Sequence, residues 1–99
     1  MNAQPRPYRV LIVDDNESHA EALSDGLEQD GHSCTLAHSG REGIARLSEG
    51  LYDVVLTDLV MPDLSGLEVL KRARTEQPDA VVILITGRGS ERDAVEAFR

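Results

Sequence analysis

Three aspartates and one threonine carry the chemistry this sequence offers. Asp14 and Asp15 follow the apolar run Val10-Leu11-Ile12-Val13, Asp58 follows Val54-Val55-Leu56-Thr57, and Thr86 follows Val81-Val82-Ile83-Leu84-Ile85. Runs of this length and β-branched content read as buried strands. Parallel strands point their carboxyl ends to one side, where open α/β sheets hold ligands, so adjacent strands would bring the acids together. Neighbouring carboxylates repel unless a cation or a proton relieves them. Hard oxygen donors suit Mg²⁺, which takes one or two carboxylates and keeps waters for a phosphate. Thr86 adds a hydroxyl donor, and Gly87 lets the backbone approach closely. Together these residues describe a site that positions a phosphoryl group over Mg²⁺. Each acid alone reads as readily as a turn or cap residue; the weight rests on the set.

The elements that must position them follow from the intervening residues. Asn16 caps a helix from Glu17 to about Asp30, with Ala20, Leu23 and Leu27 on one face and Gly31 placed to end it. Ser33-Cys34-Thr35-Leu36-Ala37 is a short strand. Ser39-Gly40-Arg41-Glu42 fits a capping box opening a second helix, with Ile44, Leu47 and Leu51 as its buried stripe. After Asp58, Met61-Pro62 forces a loop, because Pro62 lacks an amide donor and biases Met61 away from helix. Ser65-Gly66-Leu67-Glu68 opens a third helix through about Glu76, turning Leu67, Leu70 and Ala73 inward, and Gln77-Pro78-Asp79 breaks it. Ser90 and Asp93 suggest a fourth helix after the last strand. This β-α-β-α-β-α-β-α alternation means parallel strands joined by right-handed crossovers, with helices on both faces.

Composition sets the limits. Ninety-nine residues make one small domain, and 40% hydrophobic with 28% charged residues is a globular balance. A formal net charge of −8 argues against nucleic-acid binding by this segment. No run is long enough for a membrane span, and residues 1–7 lack the apolar stretch of a signal peptide and read as a leader, so a cytoplasmic location is expected. Cys34 is the single cysteine, read as a small buried hydrophobe, and His19, His32 and His38 are expected at the surface.

Val13-Asp14-Asp15-Asn16, the stretch from Thr57-Asp58 to Ser65-Gly66, and Ile85-Thr86-Gly87 together resemble the three signatures of response-regulator receiver domains of two-component signalling. The match covers nearly all of the chain after the leader, so residues 8–99 are expected to form the domain. The resemblance implies a flavodoxin-like doubly wound α/β sheet, strand order 2-1-3-4(-5), here stopping before the fifth strand and last helix. It assigns Asp58 as phosphoacceptor, Asp15 and Asp58 as Mg²⁺ ligands, Asp14 as a ligand mainly through water, and Val60 as a ligand through its backbone carbonyl. Thr86 would contact the phosphoryl group and switch, assisted by the Gly87 amide. The implied partners are a sensor histidine kinase or phosphotransfer protein, an output domain C-terminal to this segment, and a second copy forming a homodimer. The region from Val82 to Ser90 is similar to receivers of enhancer-binding transcription activators. The family's lysine at the end of a fifth strand has no counterpart here, since the lone lysine, Lys71, lies on the third helix.

Two rival readings rest on the same residues. An aspartyl-nucleophile phosphohydrolase needs a second acid two residues after its nucleophile, and that position is Val60. A phosphorylation-independent pseudo-receiver, serving only as a protein-interaction module, is the alternative that the missing lysine keeps open.

Overall fold

The strand that ends on Asp14 lies inside the sheet. In the computed structural model, which describes residues 7–86, β1 (Arg9–Val13) pairs in parallel with β2 (Ser33–Ala37) on one side and β3 (Val54–Asp58) on the other. β4 (Val81–Ile85) pairs with the far side of β3, giving the strand order β2-β1-β3-β4. The connections are α1 (Glu17–Gln29), α2 (Gly40–Glu49) and α3 (Gly66–Glu76). The expected parallel α/β sheet and strand order are both present. Gly87 and the helix expected after Ser90 lie outside the described residues, as does the leader up to Arg6.

The unbroken apolar runs make sense because helices cover both faces of the strands. Alternate residues divide between two cores. Val10, Ile12, Val54 and Leu56 meet Ala20, Leu23 and Leu27 of α1 on one face. Leu11, Val13 and Val55 meet Leu47 of α2 and Val69 and Ala73 of α3 on the other, with Met61 joining them from the loop after β3. Val10 through Val13 are fully buried, so β1 is covered above and below.

The helix ends follow their expected chemistry with two adjustments. Asn16 caps α1 by accepting from the His19 amide, and Gly31 takes the left-handed conformation, φ 94°, that turns the chain into β2. Ser39 accepts from the Glu42 amide at 3.0 Å, while Glu42 reaches back to the His38 amide, one residue earlier than a capping box requires. α2 ends at Glu49, so Leu51 falls beyond the helix and is 72% exposed instead of completing its stripe. In α3 the inward positions are Gly66, Val69 and Ala73, and Leu67 points largely to solvent. His32 is buried, stacked on Tyr8 at the amino end of the sheet, where a surface histidine was expected.

Candidate functional site

Asp14 owes its position to the sheet. Its amide donates to the Ala37 carbonyl at 2.9 Å, prolonging the β1–β2 pairing by one residue. Its Oδ1 accepts from the Asn16 amide at 2.9 Å, turning the chain into α1. Asp58 is the last residue of β3, and the next amide, Leu59, donates to the Ile85 carbonyl. Thr57, fully buried, donates its hydroxyl to the Asp58 carbonyl. These contacts set carboxylate oxygens of Asp14, Asp15 and Asp58 within 4.8 Å of one another. Asp14 is buried, Asp58 half-buried and Asp15 exposed, so the cluster opens to solvent on one side.

A cleft of about 250 Å³ runs over this cluster, lined by Asp14, His19, Leu23, Asp58, Val60, Ile85 and Thr86. Of the residues expected at the site, Asp14, Asp58, Val60 and Thr86 share its walls, and Asp15 stands in the acid cluster beside it. Gly87 lies outside the described residues. His19 was not foreseen: its Nδ1 stands 3.9 Å from Asp14 Oδ2. The sequence signal was its place in the first turn of α1, behind the Asn16 cap, which brings the imidazole back over the strand end.

Burial pushes the Asp14 carboxyl above the ordinary aspartate range; the Asn16 amide opposes this, the charge of Asp58 adds to it, and His19 and Asp15 make smaller opposed contributions. The metal-free fold therefore holds a proton on Asp14 more readily than the unfolded chain does. Stability from this group is present at low pH and is lost as pH rises through the raised folded value. Asp14→Asn, which keeps the shape and an acceptor for Asn16, is expected to stabilise the metal-free chain at pH 7 by about 1 kcal/mol. It should also flatten the pH dependence of stability on the acid side. Urea unfolding at neutral and mildly acidic pH checks this, and a less stable variant at pH 7 would refute it.

The loop leaving Asp58 is held tightly. The Gly66 amide donates to the Leu59 carbonyl at 2.8 Å, closing the loop at its neck. The buried Met61 side chain anchors it in the core. Asp63 accepts from the amides of Gly40 and Arg41, the latter bond being first among those that hold its carboxyl below the ordinary range. Cys34 is remote from this chemistry; burial raises its thiol to about 11, in keeping with a packing role.

A sequence model described as the response regulator receiver domain matches residues 10–99. The transcriptional regulatory protein YkoG of Bacillus subtilis is 46% identical over 86 residues, covering 87% of this chain and 38% of its own length. The chain thus spans about two fifths of the length of the curated relatives it matches. Among solved structures, the response regulator TrrA of Thermotoga maritima in complex with Mg²⁺ and beryllium fluoride is 34% identical, with a TM-score of 0.76 over 91% of this chain and 78% of that one. The beryllofluoride-activated receiver domain dimer of NtrC4 is 40% identical, with a TM-score of 0.74 over 91% of this chain and 74% of that one.

Proposed function

The chain belongs to the response regulator receiver domain family, and on that premise we propose that Asp58 accepts a phosphoryl group, in a Mg²⁺-dependent transfer, from the phosphohistidine of a sensor kinase or phosphotransfer protein. The observation that carries this reading is the convergence of three carboxylates within 4.8 Å at strand ends, beside a cleft that Thr86 also lines. Oxygen donors from three acids fit Mg²⁺ by number and hardness, and TrrA was solved with that ion.

In this reading Asp15 and Asp58 hold Mg²⁺ directly, Asp14 acts through a bound water, and Val60 contributes its backbone carbonyl. The ion, when bound, offsets negative charge on the carboxylates and on the incoming phosphoryl oxygens. An Asp58 carboxylate oxygen attacks phosphorus in line; the P–N bond to the imidazole breaks, and its electron pair leaves with the imidazole nitrogen. The half-buried setting of Asp58 keeps one side open for that approach while backbone contacts fix the other. Thr86, exposed at the end of β4, turns inward to hydrogen-bond a phosphoryl oxygen, and the Gly87 amide assists. The new acyl phosphate thereby biases the segment after β4, making a local charge event a signal.

The longer curated relatives and the NtrC4 dimer support a parent protein with an output domain acting in transcription, and a second copy as partner. No helix among the described residues is long and apolar enough to cross a membrane, in keeping with a cytoplasmic site of action. The test is the intact mass of the chain after incubation with Mg²⁺ and a small-molecule phosphodonor, beside Asp58→Asn. A phosphoryl adduct that requires Mg²⁺ and vanishes in the variant is expected. A folded chain, and a folded longer parent, that both take up no phosphoryl group would overturn the proposal in favour of the pseudo-receiver.

A further inference from the structure

The first three amides of α2 are all accepted by side chains, but by two different parts of the molecule. Ser39, the adjacent cap, takes the Glu42 amide at 3.0 Å. Gly40 and Arg41 donate instead to the two carboxylate oxygens of Asp63, at 3.0 and 2.8 Å. Asp63 lies 22 residues beyond Arg41, in the loop that leaves the Asp58 strand end. Helix amino termini favour negative charge, and a carboxylate taking two amides there is a strong, directional link. The surfaces it joins are close: a Cβ on Gly40 would stand 2.8 Å from the Leu64 Cβ.

This link has a consequence for the loop. Its neck is closed by Gly66 and Leu59, Met61 is sunk in the core and Ser65 caps α3, but the polar attachment of the stretch from Pro62 to Ser65 to α2 runs through Asp63. Val60, 76% exposed on the cleft, sits in the same loop. We propose that Asp63 is a positioning residue for the metal site: by gripping the first turn of α2 it fixes the loop that carries the Val60 carbonyl. The inference rests on the reading of this cleft as a Mg²⁺ site. It makes α2 part of that site's frame, although no side chain of α2 lines the cleft.

The test compares Asp63→Ala, Asp63→Asn and Ser39→Ala in the full chain, reading Mg²⁺ affinity by calorimetric titration and amide exchange at Gly40 and Arg41. Ser39→Ala strips a cap from the same helix end while leaving the loop attached, so it reports loss of helix stability alone. Asp63→Ala is expected to speed exchange at both amides and to weaken Mg²⁺ binding by about tenfold, the low side of what partners outside a ligand set contribute. Asp63→Asn, with one acceptor oxygen left, should fall between Asp63→Ala and the parent. Ser39→Ala should leave Mg²⁺ affinity unchanged. Equal affinity in Asp63→Ala and the parent overturns the inference alone, as does an equal loss in Ser39→Ala. A parent chain that binds no Mg²⁺ overturns the reading of the cleft and the inference with it.

Discussion

A chain carrying Gly66→Ala is expected to lose about 3 kcal/mol of stability, at the upper end of what overpacking costs, and to lose the set of Asp58 with it. Alanine is the better helix former by about 1 kcal/mol, so propensity alone predicts the opposite sign. The decisive fact is what the new methyl would meet. A Cβ at this position runs into the Asp58 carbonyl oxygen, with the Asp58 carbonyl carbon and the Leu59 Cα each 3.0 Å away. All three are backbone atoms, and none can rotate aside. Either α3 lifts from the end of β3 or the strand end shifts, and the first breaks the Gly66–Leu59 hydrogen bond. Gly43 makes a useful contrast, since its added Cβ would crowd the methyls of the Val13 side chain rather than backbone. Urea unfolding of the two variants, with phosphoryl uptake measured on whatever remains folded, checks the argument. A Gly66→Ala chain as stable as its parent would show that the approach of α3 to β3 is misjudged.

The second large effect lies at the opposite end of the strands. Gln77→Ala is expected to cost about 3 kcal/mol, with Mg²⁺ affinity unchanged. Gln77 is 7% exposed, and its amide group serves three backbone partners at once. Nε2 donates to the Leu47 and Gly50 carbonyls at 2.8 and 2.6 Å, and Oε1 accepts from the Tyr52 amide at 2.8 Å. Two of these groups belong to the carboxyl end of α2, where carbonyls lack helical partners. Truncation leaves them and one amide unpaired next to a buried leucine. Gln77→Glu is a sharper variant, because it turns two acceptors towards a third. It should unfold at least as easily at neutral pH, and equal stability of Gln77→Glu and parent would refute the assignment.

The contrast between these two residues explains what could be read in the sequence. Strands and acids were legible because local composition carries them: an apolar run ends, and a carboxylate follows. The strand order came from family resemblance, since spacing alone does not choose which strand neighbours which. Gln77 read only as part of a break before Pro78, because its three partners lie 25 to 30 residues away. The same distance problem hid the grip of Asp63 on α2. The phase of α3 was misread for another reason. Leu67 and Leu70 look like the apolar stripe, but the close approach of Gly66 to Asp58 fixes the rotation of the helix and turns Val69 and Ala73 inward. A glycine that contributes no apolar area thus decides which larger residues do. Leu51 failed similarly, because α2 stops at Glu49 before that position can join its stripe.

The central place of β1 also bears on how the chain comes off the ribosome. β1 is made first, yet its pairing with β3 waits for residues 54–57. Until then the nascent chain can assemble only β1, β2 and α1, which meet across Val10, Ile12 and Leu23, with α2 adding Leu47 on the opposite face once Glu49 is made. Leu11 and Val13, on the other face, have no finished cover until α3 has emerged with Val69 and Ala73. Synthesis at about 5–20 residues per second leaves that face covered by α2 alone for seconds. A strand that is the best-protected part of the finished molecule is thus, during translation, the part whose cover is completed last.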